Sequence, residues 1–117
     1  MLKAVIIDDE QLAIEELKYL LEPYKEIEVI GTFTNSSDGE MFIYSHKPDV
    51  IFLDIQMPRR TGLEIAKLLV TSAKPMFLIF VTAYDTYAMD AFDVSATDYL
   101  LKPITEKRLA FALEKVM

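Results

Sequence analysis

The sequence predicts an α/β fold, a doubly wound five-stranded parallel sheet with helices on both faces. Three observations carry this. Short apolar runs alternate with helical patterns along the whole chain of 117 residues. The run Val50–Leu53 is apolar at every position, not at every second one. A strand apolar on both sides is buried on both faces, the usual state of a parallel sheet between helical layers. Right-handed crossovers then leave the doubly wound topology. The length fits one domain large enough to bury a core unaided.

Each element follows in order. Residues 2–8, "LKAVIID", form the first strand and end in acids. Residues 10–22 carry Ala13, Leu17, Leu20 and Leu21 at helical spacing and stop at Pro23. Residues 27–33 are a second strand, less apolar and so nearer an edge. Ser37 and Glu40 have the spacing of a capping box and predict a helix to about Ser45. Residues 49–54, "DVIFLD", are the third strand. Thr61 and Glu64 make another capping box before Ile65, Leu68 and Leu69. The fourth strand is 76–82. A short helix at 86–93 has Ala88, Ala91 and Phe92 on one side, and the fifth strand is 97–101. Leu109, Ala112, Leu113 and Val116 mark an amphipathic last helix.

Composition removes several function classes. The 26% charged and 52% hydrophobic residues are those of a globular chain, not a disordered one. Without cysteine there is no disulfide, no thiolate metal site and no thiol nucleophile. A net charge of −7 disfavours direct contact with a phosphate backbone. No apolar run approaches the roughly 18 residues of a membrane span, and acids enter at Asp8 before a signal-length apolar region has formed. The expected location is the cytoplasm.

In a parallel sheet all C-terminal strand ends share one edge, where ligands bind. Asp8 and Asp9 end the first strand, Asp54 the third and Thr82 the fourth; Lys102 follows the fifth. Each has a plain alternative. Asp9 can cap the first helix, Asp54 can be a solvated acid, Thr82 a strand residue, Lys102 a surface lysine and Tyr99 a strand aromatic. Their coincidence needs another reason. Acids crowded together repel and raise one another's pKa. An oxygen-only donor set favours Mg²⁺, which relieves that repulsion. A carboxylate flanked by cation, hydroxyl and ammonium suits phosphoryl transfer onto the carboxylate.

Four motifs stand in order: "DDE" at 8–10, Asp54-x-x-Met57-Pro58-x-x-x-Gly62, "VTA" at 81–83 and "DYLLKP" at 98–103. With these the chain resembles the receiver domain of bacterial two-component response regulators over its whole length. Residues 80–103 further resemble the subgroup with a LytTR-type DNA-binding output domain. The resemblance implies a flavodoxin-like, CheY-like sheet of order 2-1-3-4-5, with residues 1–117 as the receiver domain and any output domain after them. It implies Asp54 as phosphoacceptor. Mg²⁺ would be held by Asp9, by Asp8 largely through water, by Asp54 and by the backbone carbonyl of Gln56. Lys102 and Thr82 would contact the phosphoryl group, and Tyr99 would turn inward as Thr82 moves. The Lys102–Pro103 peptide is expected to be cis. Gln56 and Tyr84 stand where the family varies and tunes phosphoryl lifetime.

The implied partners are a sensor histidine kinase and DNA, the latter only through an output domain; no membrane is involved. The domain switches, assisting its own phosphorylation and dephosphorylation, and is not a metabolic enzyme. A homodimer is expected through residues 84–101 and the last helix, with Tyr87, Ala88, Ala91 and Phe92 as exposed apolar material. Two other readings stand beside this. One is a Mg²⁺-dependent phosphatase with an Asp nucleophile, although Gln56 stands where its acid catalyst belongs. The other is a receiver-like module that is never phosphorylated. His46 reads as a helix-end cation, and Arg59-Arg60 as solvated or kinase-facing residues.

Overall fold

The computed structural model describes residues 1–57, 61–69 and 74–117. Pro58, Arg59 and Arg60, expected to turn the chain and to face solvent or a kinase, lie outside the described residues. The chain runs β1 (Leu2–Ile7), α1 (Gln11–Leu21), β2 (Ile27–Phe33), α2 (Ser36–His46), β3 (Val50–Leu53), α3 (Gly62–Leu69), β4 (Phe77–Thr82), α4 (Ala88–Asp93), β5 (Asp98–Leu101) and α5 (Glu106–Glu114). The sheet order is β2-β1-β3-β4-β5 and the pairings are parallel. Thus β2 is an edge strand, as its weaker apolarity predicts. Among the described residues no helix is long and apolar enough to cross a membrane.

The apolar run of β3 is explained by its place at the centre. Successive side chains point to opposite faces. Val50 and Phe52 join Ala4, Ile6, Ile14, Leu17, Leu109 and Leu113 on the face covered by α1 and α5. Ile51 and Leu53 join Val5, Ile7, Ile43, Ile65 and Phe80 on the face covered by α2, α3 and α4. All four β3 side chains are fully enclosed. Burying a side chain of this size stabilises by about 1.5–3 kcal/mol, so a polar residue anywhere in β3 would disrupt one core or the other.

The helix starts correct one expectation and dispose of one plain alternative. The Ser37–Glu40 box does not open α2, because the helix already includes Ser36. Its cap is Asn35, whose side chain accepts the Asp38 N–H at 2.8 Å. Asp38 in turn accepts from the Asn35 amide at 2.8 Å. Nor does Asp9 cap α1: the cap position is Glu10, whose N–H is taken by Asp8 Oδ1 at 3.0 Å. The Thr61–Glu64 box is present, with reciprocal bonds of 3.2 and 3.3 Å. His46 ends α2 and stacks on Phe42, ring centroids 4.0 Å apart.

At the far edge, Asp98 of β5 holds α5 in place. It accepts from Arg108 Nη2 at 2.7 Å and Nη1 at 3.0 Å, and from Lys115 Nζ at 3.1 Å. Burial pushes the Asp98 carboxyl up. The Arg108 guanidinium, the Tyr99 N–H and the Lys115 ammonium more than offset this and hold it at about 2.

The cap assignment is directly checkable. Asn35→Ala is expected to cost about 1 kcal/mol in a denaturant titration, and Ser37→Ala, at an exposed position inside the helix, to be neutral or slightly stabilising. The reverse order would restore the Ser37 box.

Candidate functional site at the sheet edge

The strand ends meet as the parallel topology requires. Asp54 follows β3 directly and its N–H bonds to the Ile7 carbonyl at 2.9 Å, fixing it beside the end of β1. Lys102 follows β5, and its N–H bonds to the Thr82 carbonyl at 2.8 Å. The Lys102–Pro103 peptide is cis. Lys102 Nζ reaches Asp8 Oδ2 at 2.8 Å, Glu10 Oε1 at 3.2 Å and Asp54 Oδ2 at 3.5 Å. An ammonium has three N–H donors, and three carboxylates surround this one.

Asp8 is 3% exposed, Asp54 5% and Thr82 fully buried, whereas Asp9 and Glu10 lie open to solvent. Burial, first, and then the Asp8 charge push the Asp54 carboxyl up to about 6; the Lys102 ammonium and the Gln56 N–H only partly oppose this. Burial and the Asp8 charge also raise Asp9. Loss of water is therefore the leading cause for both, ahead of the repulsion expected from sequence. Lys102 loses water too, but its bond to Asp8 and the Asp54 and Asp8 charges hold its pKa above the ordinary lysine range.

The loop after Asp54 is shaped by Gly62. A Cβ there would lie 2.1 Å from the Asp54 carbonyl oxygen, and the Gly62 N–H bonds to the Ile55 carbonyl at 2.9 Å. Only a residue without a side chain lets α3 start this close to the loop. The glycine of the motif is a packing requirement of Asp54.

Thr82 Oγ1 accepts the Tyr84 N–H at 3.3 Å. Tyr99 is half-buried, tilted against Phe80 with centroids 6.2 Å apart, and its hydroxyl donates to the Tyr84 carbonyl. Two residues escaped the sequence reading. Glu10 joins Asp8 and Asp9 in a cluster whose carboxylate oxygens all lie within 4.8 Å of one another; the sequence reading has it in the "DDE" motif and at the helix start, with no ligand role. Tyr87, read as surface material, is half-buried and its hydroxyl accepts from the Gln56 side-chain amide. Ala91, also read as surface, is 3% exposed and belongs to the core. The outward apolar residues of α4 are Ala88, Met89 at 75% and Phe92 at 79%.

The all-oxygen donor set fits a hard divalent cation and offers nothing to a soft one. Thus the edge combines a desolvated carboxylate, an acid cluster, an ammonium and a buried hydroxyl.

The profile of the response regulator receiver domain matches residues 4–114. The chain belongs to the response regulator receiver family. It is 48% identical over 115 residues to the sensory transduction protein LytT of Bacillus anthracis, covering 98% of this chain and 47% of that protein. It is 45% identical over 116 residues to the transcriptional regulatory protein BtsR of Escherichia coli K12, covering 99% and 48%. The receiver chain therefore spans about half the length of these curated relatives. The response regulatory domain of mrkE from Klebsiella pneumoniae superposes with a TM-score of 0.91 at 37% identity, covering 97% of this chain and 93% of that one. Receiver membership makes this a two-component signalling domain.

The raised Asp54 carboxyl has a stability consequence. Its folded pKa of about 6 exceeds the usual value near 4. Between those pH values the folded state binds more protons, so stability falls as pH rises through the window. Without metal, Asp54→Asn removes that fall and is expected to be more stable at pH 7.5 by up to about 3 kcal/mol. Denaturant titrations of both forms at pH 4 and 7.5 check this; a variant less stable at 7.5 contradicts it.

Proposed function

We propose that this receiver domain takes a phosphoryl group from a sensor histidine kinase onto Asp54 and passes the change to a DNA-binding output domain. The observation that carries the reading is the enclosed Asp54 carboxylate at 3.5 Å from Lys102 Nζ, beside the Asp8–Asp9–Glu10 cluster. A carboxylate oxygen of Asp54 attacks phosphorus, a P–O bond forms, and the P–N bond to the kinase imidazole breaks. Asp8, Asp9, Asp54 and the Gln56 carbonyl would hold Mg²⁺, with Glu10 close enough to assist. Bound Mg²⁺ supplies neutralising charge to the carboxylates and the phosphoryl oxygens. Lys102 exchanges one carboxylate for a phosphoryl oxygen, and Thr82 offers its hydroxyl. Tyr99, tied to the loop after Thr82, follows that loop.

The output face is formed by residues 84–101 and α5. Met89, Phe92, Leu101 and Phe111 are exposed there, and apolar surface of this kind marks interfaces. Phosphorylation favours a homodimer through this face, which brings two output domains together. The names of LytT and BtsR, as sensory transduction and transcriptional regulatory proteins, support the wider role.

Incubation with a small phosphodonor and Mg²⁺ is expected to add one phosphoryl mass to the wild type and none to Asp54→Asn. A variant that gains mass to the wild-type extent would falsify the acceptor. Sedimentation with beryllofluoride and Mg²⁺ is expected to show a dimer that Phe92→Ala with Ala88→Glu weakens at least tenfold, since ~1.4 kcal/mol lost at an interface already does so. A monomer in both states at high concentration sinks the dimer.

A further inference from the structure

We propose that the seam between α1 and the start of α5 binds an aliphatic polyamine, an organic cation whose ammonium groups are joined by methylene chains. Two cavities lie along this seam, and Asp54 lines neither. One, of about 330 Å³, is lined by Tyr19, Leu20, Glu22, Pro23, Tyr24 and Glu106. The other, of about 410 Å³, is lined by Glu15, Glu16, Tyr19, Leu20 and Ile104. They share Tyr19 and Leu20 and so form one trough.

Each half of the trough carries carboxylates and no cation. Glu22 and Glu106 come from different elements and meet at the first cavity; Glu15 and Glu16 rim the second. All four are exposed, and among the described residues none of these carboxylates has an ion-pair or hydrogen-bond partner. Their cationic neighbours in sequence, Lys18, Lys25 and Lys107, line neither cavity. The first cavity also sits at the end of α1, where the last carbonyls of a helix carry partial negative charge.

The walls select an organic cation over a hydrated metal ion. Between the two acidic ends the lining is Tyr19, Leu20 and Ile104. Methylene groups lose water favourably against such side chains, and an ammonium is attracted to a tyrosine ring. Acid, apolar wall, acid is the complement of ammonium, methylene chain, ammonium. The far wall is preorganised. Pro23 fixes its own φ. Tyr24 is half-buried against the core; its N–H bonds to the Leu21 carbonyl at 2.9 Å and its carbonyl accepts the Ile27 N–H at 3.1 Å. Leu20 and Ile104 pack on the same core.

The test is an amide-resonance titration of the labelled chain with spermidine, at physiological ionic strength and with excess Mg²⁺ present throughout, so that inorganic charge is already supplied. Saturable shifts are expected at Tyr19, Tyr24 and Glu106. Glu22→Gln with Glu106→Gln should weaken binding about tenfold, the size of two partly exposed ion pairs, and Tyr19→Ala should weaken it as well. Glu28→Gln with Asp93→Asn removes the same charge from exposed positions elsewhere and should leave the affinity unchanged. All these positions except the trough's own walls are remote from it, and every substituted side chain is exposed, so the fold is retained. Shifts that spread over the acidic surface without saturating overturn the proposal. So does a Glu22–Glu106 variant that binds like the wild type, or a Glu28–Asp93 variant that loses as much. None of these outcomes depends on Asp54, whose phosphorylation is tested separately.

Discussion

Keeping a carboxylate away from water is the constraint on which this edge depends. Asp54 is 5% exposed, and its raised pKa records the cost of that burial. An unpaired buried charge would be intolerable, so the surroundings are built to meet it. Lys102 brings the opposite charge, the Gln56 N–H brings a donor, and the sheet supplies rigid positions for both. The compensation is incomplete, because Asp8 stands near enough to oppose it. That leaves a site electrostatically short of positive charge, a donor set that suits a divalent cation.

The precision comes from backbone tethers. Asp54 is tied to β1 through Ile7, and Lys102 to β4 through Thr82. A side chain displaced in one strand end is therefore felt in its neighbour. Gly62 brings α3 against the Asp54 carbonyl where any Cβ would collide. These are main-chain constraints, and a side chain at Gly62 would break one of them.

The face away from Asp54 is organised by a second, partly buried acid with the opposite outcome. Asp98 has two cations on it and is held at about 2, so it is ionised throughout the physiological range. Arg108 and Lys115 also flank the Phe111 ring at 5.4 and 4.9 Å. The result is a stiff β5–α5 unit displaying Leu101 and Phe111, next to a short α4 displaying Met89 and Phe92. Two acids in one small domain thus differ in their compensation, Asp98 by more than its burial costs and Asp54 by less.

The sequence by itself determined the fold class, the element order and the convergence of Asp8, Asp9, Asp54, Thr82 and Lys102. Period and apolarity select a parallel sheet, and a parallel sheet gathers its strand ends on one edge whatever the details. Local capping was only half legible: Thr61–Glu64 closes on itself, but Asn35 displaces Ser37 because Asn35 lies where the chain leaves β2, a matter of where the helix docks. What tertiary structure alone decided are contacts between residues far apart in the chain. Glu10 joins Lys102 across 92 positions and Gln56 joins Tyr87 across 31. Ala91 turns inward, and Met89 and Phe92 outward, because a six-residue helix is too short to announce its face by periodicity. The pKa of Asp54 belongs to the same class, since its leading cause is the water removed by the packed elements around it.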